Sequence, residues 1–269
     1  MNSKSCPTCG AEVSGRYCSA CGEQQLSDAD LNFRHFLLHH VPHEVMHWDG
    51  KLGRTLRELI VAPGKMAAEY VRGRRQPYLN PLRLYLVIFV AQAFLASIGT
   101  VPPTWSERLR RYDITGMVTH LSASRGISGS MMPSLHFEAY SHWLSEAGTL
   151  VIVFLIAAAL LLILRKYHRR YLEHLTLALN VITFLLLLML VGDAVTLIAG
   201  RGSVSEVAEI YRINVPAMLL PLYWLIAIRR FYGSSWGGSV LYTVATFAAT
   251  WVIAQLVNTL VLLLLSVFV

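Results

Sequence analysis

Five stretches of this chain run apolar with hardly a charge: Leu82–Thr100, Ala147–Leu164, Leu175–Ala199, Ile213–Ile228 and Ser239–Phe268. Each approaches the ~20 residues that a helix needs to cross about 30 Å of hydrocarbon. The pattern predicts an all-α integral membrane protein with about five transmembrane helices. The fourth run is the shortest and carries Pro216 and Pro221. It spans only if interfacial residues extend it and neighbouring helices satisfy the backbone groups that the prolines free. The last run is longer than a crossing requires and is expected to tilt or to lie partly in the interface.

Ahead of these runs the periodicity changes. Phe33, Phe36, Leu37 and Val41 form one helical stripe, and Leu52, Leu56, Leu59 and Ile60 another. Pro63-Gly64 should end the second helix, with a new one from Lys65 to about Val71. These read as amphipathic helices lying along the membrane, followed by Arg72, Arg74 and Arg75 at the mouth of the first apolar run. Arginines at that depth face anionic lipid headgroups, each contributing about 1 kcal/mol, and they make a candidate lipid or phosphate contact. Between the first two runs, 101–146 is polar with two aromatic-rich amphipathic stretches, expected to rest on the opposite leaflet.

Composition agrees: 55% of residues are hydrophobic, 14% are charged, and mean hydropathy is +0.49. Ordinary soluble domains carry about a quarter charged residues. The opening residues have no apolar core of a signal peptide. Net charge is +7, and its location matters more than its size. Residues 1–84, the link 165–174 and the pair Arg229-Arg230 hold all of the excess positive charge. Segments 101–146 and 200–212 are balanced, and Asp193 is acidic within the third run. Excess Lys and Arg mark the cytoplasmic side, so the N-terminus is expected inside and the C-terminus outside.

The four cysteines all fall in the first 21 residues. Cys6 and Cys9 form one Cys-x-x-Cys pair and Cys18 and Cys21 a second, each followed by glycine. The two-residue spacer lets both thiolates of a pair reach one tetrahedral ion, and the glycine permits a turn that aims backbone amides at the sulfurs. A segment this short cannot bury a core, so a structural Zn2+ would supply its folding energy. Only Lys4 and Arg16 accompany the knuckle as cations, against Glu12 and Glu23. Nucleic-acid binding needs clustered cations and is disfavoured; a docking surface for a protein partner is the expectation. His35, His39, His43 and His47 recur every four residues, but Pro42 breaks the ladder, which favours a pH-sensitive polar face over a second metal site.

Ionisable groups at membrane depth are costly and therefore candidates for function. Glu173 and His174 open the third run and Asp193 lies near its far end, about 27–30 Å away at 1.5 Å per residue, so they cannot share one site. Asp193 is expected to pair with a loop arginine such as Arg201 or to cap its helix. Gln92, Asn180, Gln255 and Asn258 read as interhelical hydrogen-bonding residues.

The stretch WDGKLGRTLREL from Trp48 to Leu59, then Pro63-Gly64-Lys65, Tyr70 through Arg75 and Tyr78 to Pro81, resembles a bacterial domain-of-unknown-function family, the one numbered thirty-six sixty-seven. Tyr171 through Leu175 and Tyr223 through Gly233 are similar as well. Members combine a cysteine knuckle with several membrane helices, so the resemblance implies a multi-pass protein of the bacterial cytoplasmic (inner) membrane and no particular activity. Asn180 stands where the resemblance leads one to expect histidine, which counts against a paired-histidine site within the membrane. The chain then divides into a zinc-ribbon-like knuckle (1–26), juxtamembrane helices (27–81) and a five-helix membrane domain (82–269).

No nucleotide-binding loop, His-Glu-x-x-His or nucleophile elbow is present. No catalytic residue is assigned, and the sequence leans away from an enzyme. The expected role is a membrane-anchored, zinc-binding adaptor or scaffold. The alternatives are a component of a small-solute or lipid transporter or channel, and an enzyme acting at headgroup level.

Overall fold

The computed structural model describes residues 4–24, 51–97, 135–199 and 203–268. The Phe33–Val41 stripe, the series His35, His39, His43 and His47, Arg201 and residues 98–134 of the loop region lie outside these.

The N-terminal segment is a hairpin of two short antiparallel strands, β1 (Lys4–Ser5) and β2 (Glu12–Val13), in the register Lys4 opposite Val13. The rest is helical: α1 (Lys51–Val61), α2 (Lys65–Val71), α3 (Pro81–Ser97), α4 (Leu135–Ile163), α5 (Tyr171–Ala199), α6 (Ser203–Tyr232) and α7 (Trp236–Phe268). A short 3-10 turn, Arg165–Tyr167, joins α4 to α5. Two of these helices contain segments long and apolar enough to cross a membrane, Tyr171–Val195 in α5 and Trp236–Val257 in α7; Pro81–Leu95 and Gly148–Ile163 are shorter apolar segments.

Helix α5 is the centre of the bundle. It packs against α3, α4 and α6, and also against α1 and α2, while α7 packs on α4 and α6. Its inward residues Leu177, Ala178, Val181 and Phe184 are buried among Leu84, Tyr85, Ile156, Leu160, Trp224 and Ile228. Neighbouring helices alternate in direction, apart from α3, which runs parallel to α5. The starts of α3, α5 and α7 and the ends of α4 and α6 therefore share one end of the bundle, and so do Arg165, Lys166, Arg169, Arg170, Arg229 and Arg230.

The structure differs from the sequence reading in three places. Helix α4 begins at Leu135, so the aromatic stretch after 134 is continuous with the second apolar run and is not a separate interfacial helix. At 29 residues it measures about 43 Å. Helix α6 runs unbroken for 30 residues through Pro216 and Pro221, nearly twice the length of its apolar run, because the flanking polar turns have helix-compatible sequence. Helices α1 and α2 do form on either side of Pro63-Gly64, but they do not lie apart from the bundle. Leu59, Met66, Ala67 and Ala68 are buried in the main core.

That docking depends on one glycine. Gly64 has φ of 72°, and a Cβ there would stand 2.7 Å from both the Cα and the carbonyl oxygen of Ala227. The α1–α2 elbow thus rests directly on the backbone of α6. Arg230 donates to the Pro63 carbonyl at 3.0 Å, and Lys65 pairs with Glu58 at 3.0 Å.

Candidate metal centre and the turn it touches

The four thiols of Cys6, Cys9, Cys18 and Cys21 come together, with their sulfurs all within 4.8 Å of one another. None is in a disulfide. Cys6 Sγ lies 3.6 Å from Cys21 Sγ, and Cys9 Sγ lies 3.6 Å from Cys18 Sγ. A tetrahedral ion with metal–sulfur bonds of about 2.3 Å needs sulfur–sulfur edges of about 3.8 Å, so this donor set can hold a metal ion.

The turns that present the sulfurs follow from the sequence. Gly10 and Gly22 adopt φ of 78° and 75°, left-handed conformations that glycine reaches at no steric cost. Their amides return to the carbonyls of Cys6 and Cys18 at 2.9 and 2.8 Å. Backbone amides point at the sulfurs; the Cys9 amide, above all, holds the Cys6 thiol down to about 7. At Cys21 the amide of Glu23 favours the thiolate, but burial and the three neighbouring sulfurs outweigh it and push the thiol up to about 12. Four thiols this close cannot all ionise without a cation between them.

Glu23 is the site residue that the sequence reading passed over. It is only 2% exposed, and its Oε2 accepts three hydrogen bonds: from the Thr8 hydroxyl at 2.6 Å and from the main-chain amides of Arg75 and Gln76 at 3.0 and 2.8 Å. Pro7 sits against Gly73. The edge of the knuckle formed by Pro7, Thr8 and Glu23 is thereby seated on the Arg72–Gln76 turn. In sequence, Glu23 reads as a surface carboxylate; only a contact fifty-two residues away identifies it.

The three arginines proposed as a headgroup contact are placed differently from one another. Arg75 donates to the Tyr70 carbonyl at 3.1 Å and lies over the Tyr70 ring. Arg74 approaches Glu69 at 3.7 Å. Arg72 is exposed and closes α2 through its amide. Behind them Tyr78 donates to Glu69 at 2.6 Å; burial first, then that carboxylate, holds its hydroxyl above the usual phenol range.

The remaining candidates lie along α5, Glu173 and His174 side by side in its first turn and Asp193 near its other end. Glu173 accepts from Arg169 at 2.9 Å. His174, fully buried, shares a 2.6 Å hydrogen bond between its Nδ1 and the Tyr232 hydroxyl. Asp193 accepts from Gln92, which joins α5 to α3; the expected partner Arg201 lies outside the described residues. Asn180 meets Tyr223, whose hydroxyl lies 2.9 Å from both Asn180 Oδ1 and the Leu59 carbonyl. Gln92 and Asn180 thus make interhelical bonds, whereas Gln255 is exposed.

Fold and site together define a mainly helical protein with a four-cysteine, metal-competent knuckle seated on its helical body. Residues 49–92 match the model of a family described as "Protein of unknown function (DUF3667)". The matched segment comprises α1, α2, the arginine turn and most of α3; the stretches around Tyr171 and Tyr223 fall outside it. No curated protein and no solved structure matches the chain.

Proposed function

We propose that this protein is a multi-pass membrane adaptor whose zinc-loaded knuckle presents a fixed recognition surface to a cytoplasmic protein partner. The carrying observation is the way the knuckle is mounted. One edge is clamped to the body through Glu23, and Tyr17 is left 59% exposed. An exposed aromatic carried on an anchored small domain binds at low entropic cost.

The membrane part of this reading rests on the outer surface of the bundle. Every helix from α3 to α7 turns large apolar residues outward, among them Val90, Phe94, Leu162, Val195, Met218, Leu222, Leu241 and Trp251. Large exposed apolar surface marks a protein-interaction or membrane-facing site, and its spread over five helices favours lipid. The hydrophobic window of α5 is 61% buried and that of α7 only 17%, as suits a central and a lipid-facing helix. On this reading α3–α7 are five spans, with the arginine-bearing links on the cytoplasmic side beside the knuckle as excess Lys and Arg favour, and the bacterial inner membrane is the bilayer proposed. Thiolate ligands in a reducing cytoplasm favour Zn2+.

A crosslinking pull-down from intact cells tests the adaptor. Specific partners should be captured by the native chain and lost in Tyr17→Ala and in the variant with all four cysteines changed to serine. If the same partners remain with both, the knuckle is not the contact surface. Transport is the reading to adopt if Asp193→Asn, which keeps a group able to bond Gln92, abolishes uptake of a solute.

A further inference from the structure

We propose that Glu23 is a clasp through which metal occupancy of the cysteine site governs docking of the knuckle onto the Arg72–Gln76 turn. The inference rests on the knuckle holding a metal and is independent of any partner protein.

Three observations carry it. The knuckle has almost no core: its buried hydrophobic cluster is Cys6, Val13 and Cys18, with Ala11 and Cys21 against it. Three of these five are the cysteines themselves, so the metal must supply the folding energy. Second, the residues that touch the body are interleaved with the ligands. Pro7 and Thr8 lie between Cys6 and Cys9, and Glu23 follows Cys21 by two. Third, Glu23 faces both ways. Its main-chain amide is directed at the Cys21 sulfur, its carbonyl accepts from the Cys18 amide at 2.9 Å, and its carboxylate takes the amides of Arg75 and Gln76.

A surface that docks only when folded, and folds only when metallated, makes docking and metal binding reciprocal. The body raises the knuckle's metal affinity, and metal holds the turn. Without the metal the Arg75 and Gln76 amides lose their buried acceptor and turn to water. The turn lies at the basic end of the bundle and leads straight into α3, so the metal state of the knuckle is transmitted to the start of that helix.

The test uses the full-length protein in detergent, with zinc alone as the probe. Zinc affinity is measured by competition with a chromophoric chelator, and exchange of the amides at residues 73–78 by hydrogen–deuterium mass spectrometry. Glu23→Ala should still bind one zinc per chain but about tenfold or more weaker, within the ordinary range of coupling between sites. In the native chain, stripping zinc should raise exchange at Arg75 and Gln76 to the level of zinc-loaded Glu23→Ala and leave α5 unchanged. Thr8→Val, which removes one donor to the carboxylate and keeps the shape, should shift both readouts the same way by less. Native affinity in Glu23→Ala and Thr8→Val overturns the clasp, as does protection at Arg75 and Gln76 that survives zinc removal. A native chain that binds no zinc overturns the metal reading itself, and this shows before any variant is compared.

Discussion

Replacing Gly64 by alanine tests whether the α1–α2 elbow is seated in the bundle. Two costs add. A non-glycine residue at φ of 72° is strained by about 1–2 kcal/mol. The new methyl also meets the Cα and carbonyl oxygen of Ala227 at 2.7 Å. Both are backbone atoms of α6, so no rotamer change relieves the clash, and overpacking of this kind costs about 1–3 kcal/mol. The expected destabilisation is roughly 2–5 kcal/mol by these two terms. Gly53→Ala is the control. Gly53 lies in α1 with nothing within 4 Å of its would-be Cβ, and removing a helical glycine should stabilise by about 0.5–1 kcal/mol. Thermal unfolding of the purified protein in detergent, followed by tryptophan fluorescence, should move in opposite directions for the two variants. If Gly64→Ala melts with the native protein, the elbow does not rest on Ala227, and the placement of α1 and α2 against α6 is wrong.

Tyr223→Phe removes the hydroxyl shared by Leu59 and Asn180; leaving those buried acceptors unpaired should cost about 1–3 kcal/mol in the same melting assay, whereas Tyr17→Phe, at an exposed site, should change nothing. The Tyr78 hydroxyl is held above its ordinary value of about 10. Its stabilising contribution is therefore whole below that pH and lost as pH rises above it; native protein should lose stability faster than Tyr78→Phe in alkaline titration, and parallel pH profiles would refute the buried pairing with Glu69. Asp193→Leu should destabilise by about 1–3 kcal/mol because Gln92 loses its acceptor, and Asp193→Asn by much less; equal losses would place the bond elsewhere. Acidification should release metal from the knuckle, since each thiolate must take up a proton; retention of zinc well below neutral pH would argue against thiolate ligation.

The elements whose physics is local were legible in the sequence. Cysteine spacing with glycine at 10 and 22 determined the knuckle, because two residues between thiols and a left-handed turn after them leave little else. Apolar runs located the helical bundle, and Pro63-Gly64 located the break between α1 and α2. The distribution of arginines anticipated which links gather at one end. Helix limits were less legible: hydropathy reports where side chains are apolar and not where backbone hydrogen bonding stops, so α4 and α6 extend well beyond their runs.

What required the tertiary structure is every pairing across long separations. Glu23 has the same local chemistry as Glu12, and nothing nearby in the chain marks it as buried beneath Arg75 and Gln76. Asp193 could have met any donor near its end of the bundle; the parallel packing of α3 on α5 gave it Gln92. An amphipathic stripe on α1 demands an apolar surface but does not say which; the assembled fold supplies it from α2 and α5, and the elbow's glycine rests on Ala227 of α6. Local patterning fixes what a segment needs, and only the assembled fold determines which distant group supplies it.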